Sequence, residues 1–217
     1  MLVHDIATPS LSERSEHHLF RVLRVNNGDL VTVTNGRGSW RPCRASGSTL
    51  QPDGDIEYVD EPLPAVELFV AIPKQDRPEW LVQKAKELGV DRIVLLHAER
   101  SVVRWTGERA GRHLAKLAIV AQEAAMQSRR VRVPVVEGPV DASSILGTSH
   151  VATPGGRPIA PGDPRLAIGP EGGWSDAEVD RSLGAVDLGP HVLRVETAAL
   201  AAATLLVAGR MRSPRHV

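Results

Sequence analysis

Residues 66–89 read V-E-L-F-V-A-I-P-K-Q-D-R-P-E-W-L-V-Q-K-A-K-E-L-G. The continuous apolar run Leu68–Ile72 is typical of a parallel strand that is buried on both faces. Pro78 fits the first turn of a helix, and Gly89 fits the position just after the end of one. The apolar stripe of that helix is Leu81, Ala85 and Leu88. The stretch therefore predicts a strand followed by a helix, which is the repeating unit of an α/β domain.

The same alternation continues toward the carboxyl end of the chain. A strand is predicted at 92–97, a long helix at about 108–127, and further strands near 133–136, 150–153, 166–169 and 186–188. Ser175-Asp-Ala-Glu178 is a capping box, which predicts that a helix starts there. An alanine-rich helix is predicted at 197–211. The pattern predicts an α/β fold with a mostly parallel sheet.

The amino-terminal part of the chain has a different pattern. Short alternating segments such as Leu30–Val33 are separated by turn signals, as in a small β-barrel or sandwich. The proline-bearing stretch Glu61–Pro64 is the best candidate for a linker. We therefore expect two domains, a β-domain over residues 1–64 and an α/β domain over residues 65–217.

The charge of the chain cancels as a whole but is unevenly distributed. The 217 residues contain 26 Lys and Arg against 26 Asp and Glu, so the formal net charge is zero. This balance argues against a wholly electrostatic nucleic-acid binder. Residues 92–132, however, hold nine basic and three acidic side chains, a net charge of +6. The sequence therefore allows a locally basic surface.

The composition also excludes several classes of protein. Cys43 is the single cysteine, which rules out an internal disulfide framework and a cysteine-based zinc site. No run of about 18 apolar residues occurs, so we expect no membrane span. The first residues lack a basic segment followed by an apolar core, so we expect no secretory signal and a cytoplasmic protein.

Two glycine-bearing loops follow predicted strands, where ligands bind in open α/β sheets. The first is Ile168-Gly-Pro-Glu-Gly-Gly-Trp174 and the second is Leu188-Gly-Pro-His-Val-Leu-Arg-Val-Glu-Thr-Ala198. The phosphate-binding pattern G-x-x-x-x-G-K-[ST], the dinucleotide pattern G-x-G-x-x-G and the hydrolase pattern G-x-S-x-G are all missing. From the residues alone, a ligand site and a pair of tight turns both stay open.

These two loops resemble the signature of the ribosomal RNA small subunit methyltransferase E family, which belongs to the SPOUT methyltransferases. The matching residues are Ile168-Gly-Pro-Glu-Gly-Gly173 and Leu188-Gly-x-x-Val-Leu-Arg-x-Glu-Thr-Ala198. Four further segments agree, namely His18–Arg24, Glu79–Val90, Glu99–Ser101 and the E-x-x-x-Q-S-x-R-x-x-x-P pattern of Glu123–Pro134. The resemblance covers nearly the whole chain in order. His191 and Val195 stand where the family often carries Arg and Thr.

The resemblance implies both a fold and an activity. It implies a deep trefoil knot in a SPOUT-type α/β domain, an amino-terminal PUA-like β-barrel and a homodimer. It implies S-adenosylmethionine as methyl donor, 16S rRNA of the small ribosomal subunit as substrate, and 3-methyluridine as product. It implies neither a metal nor a membrane. A knot does not follow from the pattern of strands and helices, because chain connections normally avoid threading.

The resemblance also assigns residues to the donor site and to the chemistry. The donor is expected on Thr153, Pro154, Ile168, Gly169, Pro170, Glu171, Gly172, Gly173, Leu188, Gly189, Val192 and Leu193. Arg194 is the first candidate for stabilising the anion that develops on uracil. Glu196 acts as a base or orients Arg194, and orientation is the favoured role.

The basic side chains supply candidates for RNA contact, chiefly to phosphate. They are Arg21, Arg24, Lys74, Arg100, Arg129, Arg130 and Arg132. Two alternative functions stay open beside 16S rRNA methylation. One is a related methyltransferase acting on another RNA such as tRNA, and the other is a non-catalytic RNA-binding dimer.

Overall fold

The computed structural model describes residues 1–160 and 162–212 and divides them into two compact units. The first unit contains Met1–Glu61 and Ala125–Val133, and the second contains Pro62–Ala124 and the chain from Pro134 onward. None of the described helices is long and apolar enough to cross a membrane.

The first unit is built on a four-stranded antiparallel sheet. Its strands are β1 (Leu30–Thr34), β2 (Ser39–Ser46), β3 (Thr49–Pro52) and β4 (Glu57–Tyr58), and β2 pairs with the other three. One helical turn, α1 (Glu13–Glu16), precedes them and continues as a π-helix over His17–Val22. The Ser12 side chain caps α1 by accepting a hydrogen bond from the Ser15 amide. The core of this unit consists of Val3, Leu19, Val31, Val33, Cys43, Ala45 and Leu50.

Residues 125–133 join the first unit through backbone hydrogen bonds. The Val131 carbonyl accepts from the Thr34 hydroxyl at 2.8 Å and from the Gly38 amide at 3.2 Å. The Val133 amide donates to the Gly36 carbonyl at 2.9 Å. The segment therefore extends the β1–β2 hairpin of this unit, although its first residues, 125–127, are the end of the long helix Gly107–Gln127.

The second unit is a parallel sheet with helices. Its strands are β5 (Glu67–Ala71), β6 (Arg92–His97), β7 (Val135–Asp141), β8 (His150–Pro158), β9 (Arg165–Ile168) and β10 (Ala185–Asp187). Its helices are α2 (Arg77–Leu88), α3 (Gly107–Gln127), α4 (Asp176–Arg181) and α5 (Val195–Arg212), with 3-10 turns at Ala142–Ser144 and Leu146–Thr148. The strands lie in the order β10-β8-β9-β5-β6-β7 and every pairing is parallel. The predicted α/β fold with a parallel sheet is confirmed.

Apolar clusters cover both faces of this sheet. Leu68 and Val70 of β5 pack in one cluster with side chains of α2, α3 and α5. Phe69, between them, packs on the opposite face with Val94, Leu96, Ala142 and Leu146. Because successive side chains of a strand point to opposite faces, a strand covered on both sides needs an unbroken apolar run. This is why Glu67–Ala71 is buried throughout.

The carboxylate of Glu67 joins three strands at their amino-terminal ends. Glu67 is 6% exposed, and its two oxygens accept from Arg92 at 2.6 Å and from Arg165 at 2.8 Å. Arg92 also donates to Glu137 at 2.6 Å, which extends the chain of ion pairs to β7. A buried carboxylate is tolerated only when it is paired, and here two guanidinium groups pair it.

The pairing of β8 with β10 contains a large irregularity. Ala185 pairs with Val151, but the next residue, Val186, pairs with Arg157. The residues between Val151 and Arg157 are therefore not paired with β10, and the pairing resumes at Arg157. Just before Arg157 the chain passes so close to β10 that a Cβ atom on Gly156 would lie 2.6 Å from the Val186 nitrogen.

We expect Gly156→Ala to destabilise the protein, because the added methyl group meets rigid backbone. Overpacking of this kind costs about 1–3 kcal/mol. The matched control is Gly111→Ala in α3, where nothing lies within 4 Å of the new Cβ. Alanine there should stabilise the helix by about 0.5–1 kcal/mol. Thermal unfolding of the two variants measures the difference, and equal midpoints would contradict the close backbone contact.

Candidate functional site

A pocket of about 360 Å³ lies at the carboxyl ends of β9 and β10 and against the middle of β8, the strand between them in the sheet of the second unit. The start of α5 completes the wall. All twelve residues predicted for the donor site line it: Thr153, Pro154, Ile168, Gly169, Pro170, Glu171, Gly172, Gly173, Leu188, Gly189, Val192 and Leu193. The lining also contains Ala152, Trp174, Asp187, His191, Val195 and Ala198, which the sequence analysis did not assign to the donor. Parallel strands bring these loops together because their carboxyl ends share one edge of the sheet.

The loop after β9, residues 168–174, folds back on itself. The Gly173 amide donates to the Pro170 carbonyl at 2.9 Å, and Gly173 has a φ of +70°, a conformation that favours glycine. The Trp174 ring lies so close that a Cβ on Gly169 would be 3.0 Å from two of its atoms. The Trp174 indole donates to the Ala152 carbonyl at 3.2 Å. This bond connects the loop to β8.

Asp187 connects the unpaired part of β8 to the loop that follows β10. One carboxylate oxygen accepts from the Gly155 amide at 2.8 Å, and the other accepts from the Gly189 amide at 2.9 Å. These bonds stabilise the ionised carboxyl, and so they lower the pKa of Asp187 below its usual value. Asp187 was not among the residues predicted for the donor site. Its signal was the Asp-x-Gly spacing at the end of a strand, which is typical of a turn closed by an aspartate.

Two basic residues predicted to contact RNA lie beside the loop over residues 168–174. The Arg100 guanidinium donates to the Gly172 carbonyl at 3.3 Å and to the Trp174 carbonyl at 3.0 Å. The Lys74 ammonium lies 3.9 Å from a Glu171 carboxylate oxygen. Both cations therefore contact the pocket wall itself.

The two candidate catalytic residues have different surroundings. The Arg194 side chain is exposed, and its chain neighbours Leu193 and Val195 both line the pocket. Glu196 is 8% exposed, and its carboxylate pairs with Arg77 at 3.0 Å. Arg77 begins α2, so this ion pair connects the starts of α2 and α5. The predicted orientation of Arg194 by Glu196 therefore has to operate through the backbone of α5, because the ion-pair partner of Glu196 is Arg77.

The remaining predicted RNA contacts belong to the first unit. Arg21, Arg24 and Arg129 are exposed, and Arg24 and Arg129 have left-handed φ angles of 55° and 56°. Arg132 donates to the Val59 carbonyl and to the Tyr58 hydroxyl, the latter at 2.7 Å, and its guanidinium carbon lies 5.2 Å from the centre of the Tyr58 ring. Arg130 is partly buried. The structure thus divides the seven predicted RNA contacts, with five in the first unit and with Lys74 and Arg100 at the pocket.

Among the described residues, no group of three or more His, Cys, Asp or Glu side chains is arranged to hold a metal ion. The pocket wall is formed mainly by backbone and apolar side chains, with Glu171, Asp187 and His191 as its titratable groups. Such a wall suits an organic ligand that is read by backbone amides and carbonyls and by apolar contact.

Comparison with protein families gives two matches along this chain. The model of an RNA methyltransferase domain matches residues 60–207, and the model of an RNA methyltransferase PUA domain matches residues 14–46. The first match alone covers more than half of the chain.

Individual relatives agree with the family models. The ribosomal RNA small subunit methyltransferase E of Bacillus subtilis is 28% identical, with 91% of this chain and 89% of that protein aligned. The Synechocystis protein of the same name is 30% identical, with 88% of this chain and 70% of that protein aligned. The solved structure of ribosomal RNA small subunit methyltransferase E from Neisseria gonorrhoeae, bound to S-adenosyl methionine, is 27% identical with a TM-score of 0.75, and covers 91% of this chain and 90% of that one.

The Asp187 hydrogen bonds predict a pH-dependent contribution to stability. Since its folded pKa is lowered, the contribution is fully present above the unfolded value of about 3.9 and is lost as pH falls through the folded pKa. Asn at position 187 keeps one acceptor oxygen and loses the charge. Asp187→Asn should therefore lower the urea midpoint near neutral pH, and the gap from wild type should narrow below about pH 4.

Urea unfolding followed by tryptophan fluorescence at several pH values tests this expectation. Asp60→Asn, at an exposed position of the first unit, is the control for a general charge effect. A gap that stays constant from neutral to acid pH would show that the carboxylate charge does not hold the two segments.

Proposed function

The chain belongs to the ribosomal RNA small subunit methyltransferase E family, and from that membership we propose that it transfers a methyl group from S-adenosylmethionine to N3 of a uridine in 16S rRNA. The observation that carries the proposal is the single pocket wall formed by all twelve residues assigned to the donor. Family models for the RNA methyltransferase and PUA domains support it along the chain.

The residues of the pocket fit the methyl donor. Its volume of about 360 Å³ lies within the range of small-molecule sites. A Cβ atom on Gly173 or on Gly189 would meet nothing within 4 Å, so both glycines leave open space beside backbone amides. Thr153, Pro154 and the loop over residues 168–174 would hold one side of the donor, and Leu188, Gly189, Val192 and Leu193 would hold the other. When bound, the donor supplies an activated methyl group on a sulfonium.

The protein must then activate N3 of the uridine, which is a poor nucleophile. The N3–H of uridine is a weak acid, and its neutral imide nitrogen attacks slowly. A cation beside the uracil oxygens stabilises the anion that forms as the proton leaves. In this proposal Arg194 takes that role, and its exposed side chain and its two pocket-lining chain neighbours support it.

Glu196 acts as a positioning residue in this proposal. Its carboxylate is 8% exposed and is paired with Arg77 at 3.0 Å, and this ion pair supports a positioning role. The ion pair holds the first turn of α5, and Arg194 directly precedes that helix. Through this turn Glu196 fixes the backbone from which the Arg194 side chain extends.

The first unit supplies the main contact with RNA in this proposal. The bounds predicted from the sequence, residues 1–64 for an RNA-binding domain of PUA type and 65–217 for the methyltransferase domain, stay predictions, and the first unit also contains Ala125–Val133. Arg21, Arg24, Arg129, Arg130 and Arg132 would contact phosphates, with Lys74 and Arg100 nearer the donor. Phosphate contacts position the RNA without reading its sequence. The trefoil knot, the homodimer and the cytoplasmic location stay predictions from the family resemblance.

Methyl transfer by the purified protein tests the function directly. The protein is incubated with S-adenosylmethionine and either 16S rRNA or tRNA, and the digested nucleosides are identified by mass spectrometry. We expect 3-methyluridine in 16S rRNA, and we expect its loss from rRNA of a strain that lacks the gene. Methylation of tRNA alone would support the alternative substrate. Absence of donor binding at millimolar concentration would support the non-catalytic RNA-binding dimer.

Arg194→Ala should abolish most turnover and leave donor binding intact. Removing one stabilising group of this kind lowers kcat by about 100-fold or more. The control is Arg181→Ala, an exposed arginine at the end of α4. Single-turnover rates and calorimetric Kd values for S-adenosylmethionine measure both properties. Wild-type rates in the Arg194 variant would remove this residue from the mechanism.

A further inference from the structure

The loop over residues 168–174 is supported from outside the pocket by the turn that follows β6. We call Ala98–Ser101 the support turn. It is closed by the Ser101 amide, which donates to the Ala98 carbonyl at 3.1 Å, and by the Ser101 hydroxyl, which accepts from the Ala98 amide at 2.9 Å. Arg104 donates to the same Ala98 carbonyl at 3.0 Å. The turn is therefore held by its own backbone, by the Ser101 hydroxyl and by the Arg104 side chain that follows it.

A buried carboxylate connects the support turn to the start of α4. Glu178 is 7% exposed, and one of its oxygens accepts from the Glu99 amide at 2.9 Å. The other oxygen accepts from the Ser175 amide at 3.0 Å as part of the capping box. Because α4 begins directly after the loop over residues 168–174, Glu178 fixes the distance between that loop and the support turn.

Arg100 makes the direct contact with the loop. One terminal nitrogen of its guanidinium donates both to the Gly172 carbonyl at 3.3 Å and to the Trp174 carbonyl at 3.0 Å. Its Cβ lies 3.2 Å from the place where a Gly172 Cβ would stand, so the stem of the side chain packs against the loop as well. Gly172 and Trp174 both line the pocket.

We propose that Arg100 is a positioning residue for the methyl donor, because it sets the path of the loop on which the donor would lie. This inference rests on the proposed donor site and adds to it a residue that does not line the pocket. Its side chain orients two loop carbonyls, and through them the backbone of the intervening Gly173. Gly173 has a positive φ, and a glycine by itself adopts positive and negative φ about equally readily. The basic character of Arg100 alone would assign it to RNA phosphate.

The two roles predict different measurements. A phosphate contact contributes to RNA affinity, and its loss reduces the salt dependence of RNA binding by about one unit of slope. Loss of a positioning residue raises the Kd and the KM for S-adenosylmethionine and leaves the salt slope for RNA binding unchanged. Lysine at this position separates a hydrogen-bonding role from simple packing, because one ammonium group can donate to both carbonyls.

The experiment compares wild type with Arg100→Ala, Arg100→Lys and Arg112→Ala. Arg112 is an exposed arginine of α3 that lies 3.5 Å from Glu108, and its variant controls for loss of positive charge. Calorimetry measures the Kd for S-adenosylmethionine, filter binding measures the salt slope for 16S rRNA, and thermal unfolding confirms that each variant is folded.

We expect the Kd for S-adenosylmethionine to rise roughly tenfold in Arg100→Ala, to return to within about threefold of wild type in Arg100→Lys, and to stay unchanged in Arg112→Ala. Saturating donor should restore most of kcat in Arg100→Ala. An unchanged donor Kd in folded Arg100→Ala would overturn the inference, and a reduced salt slope in that case would assign Arg100 to phosphate. Failure of wild type to bind the donor would instead contradict the proposed function.

Discussion

The hydrogen bonds accepted by the Asp187 carboxylate are the constraint on which the pocket depends. Gly155 lies in the part of β8, between Val151 and Arg157, that is not paired with β10, and Gly189 lies in the loop after β10. Irregular backbone has no ladder to satisfy its amides, so a side chain must do so. One carboxylate satisfies an amide from each segment and so sets the spacing between them. A ligand held by backbone groups needs that spacing to be fixed before it binds.

The sheet of the second unit is stabilised differently at its two ends. At the amino-terminal ends of the strands, Glu67 is paired with Arg92 and Arg165, and these ion pairs connect neighbouring strands along that edge. At the carboxyl-terminal ends, glycines keep side chains out and leave a pocket. Parallel strands allow this division, because their amino-terminal ends all lie on one edge of the sheet and their carboxyl-terminal ends all lie on the opposite edge. The stability of the fold and the openness of the site therefore depend on different residues of the same strands.

Much of this architecture could be predicted from the sequence, because periodicity reports burial directly. The apolar run of β5, the Ser175 capping box and the alanine-rich α5 all form as expected. The return of residues 125–133 to the first unit could not be predicted, because it depends on hydrogen bonds between Val131 or Val133 and a distant hairpin. Asp187 carried a local signal for its bond to Gly189, but its bond to Gly155, 32 residues away in sequence, could not be predicted for the same reason. Composition and spacing describe a residue's own segment, whereas these contacts join segments that are far apart in sequence.

The basic stretch 92–132 shows how charge counted along a sequence differs from charge available to a partner. Arg92 is paired with Glu67 and Glu137, Arg104 donates to a backbone carbonyl, and Lys116 pairs with Glu79 at 2.6 Å. These cations act inside the second unit, as ion pairs between strands and helices or as donors to a turn. A guanidinium that already donates to carbonyls has fewer donors left for phosphate, since its five N–H groups are arranged in a fixed plane. The net charge of +6 over this stretch therefore overstates the surface open to RNA. That surface has to be judged from exposed side chains of the stretch such as Arg109 and Arg129, to which the charge count gives no more weight than to Arg92.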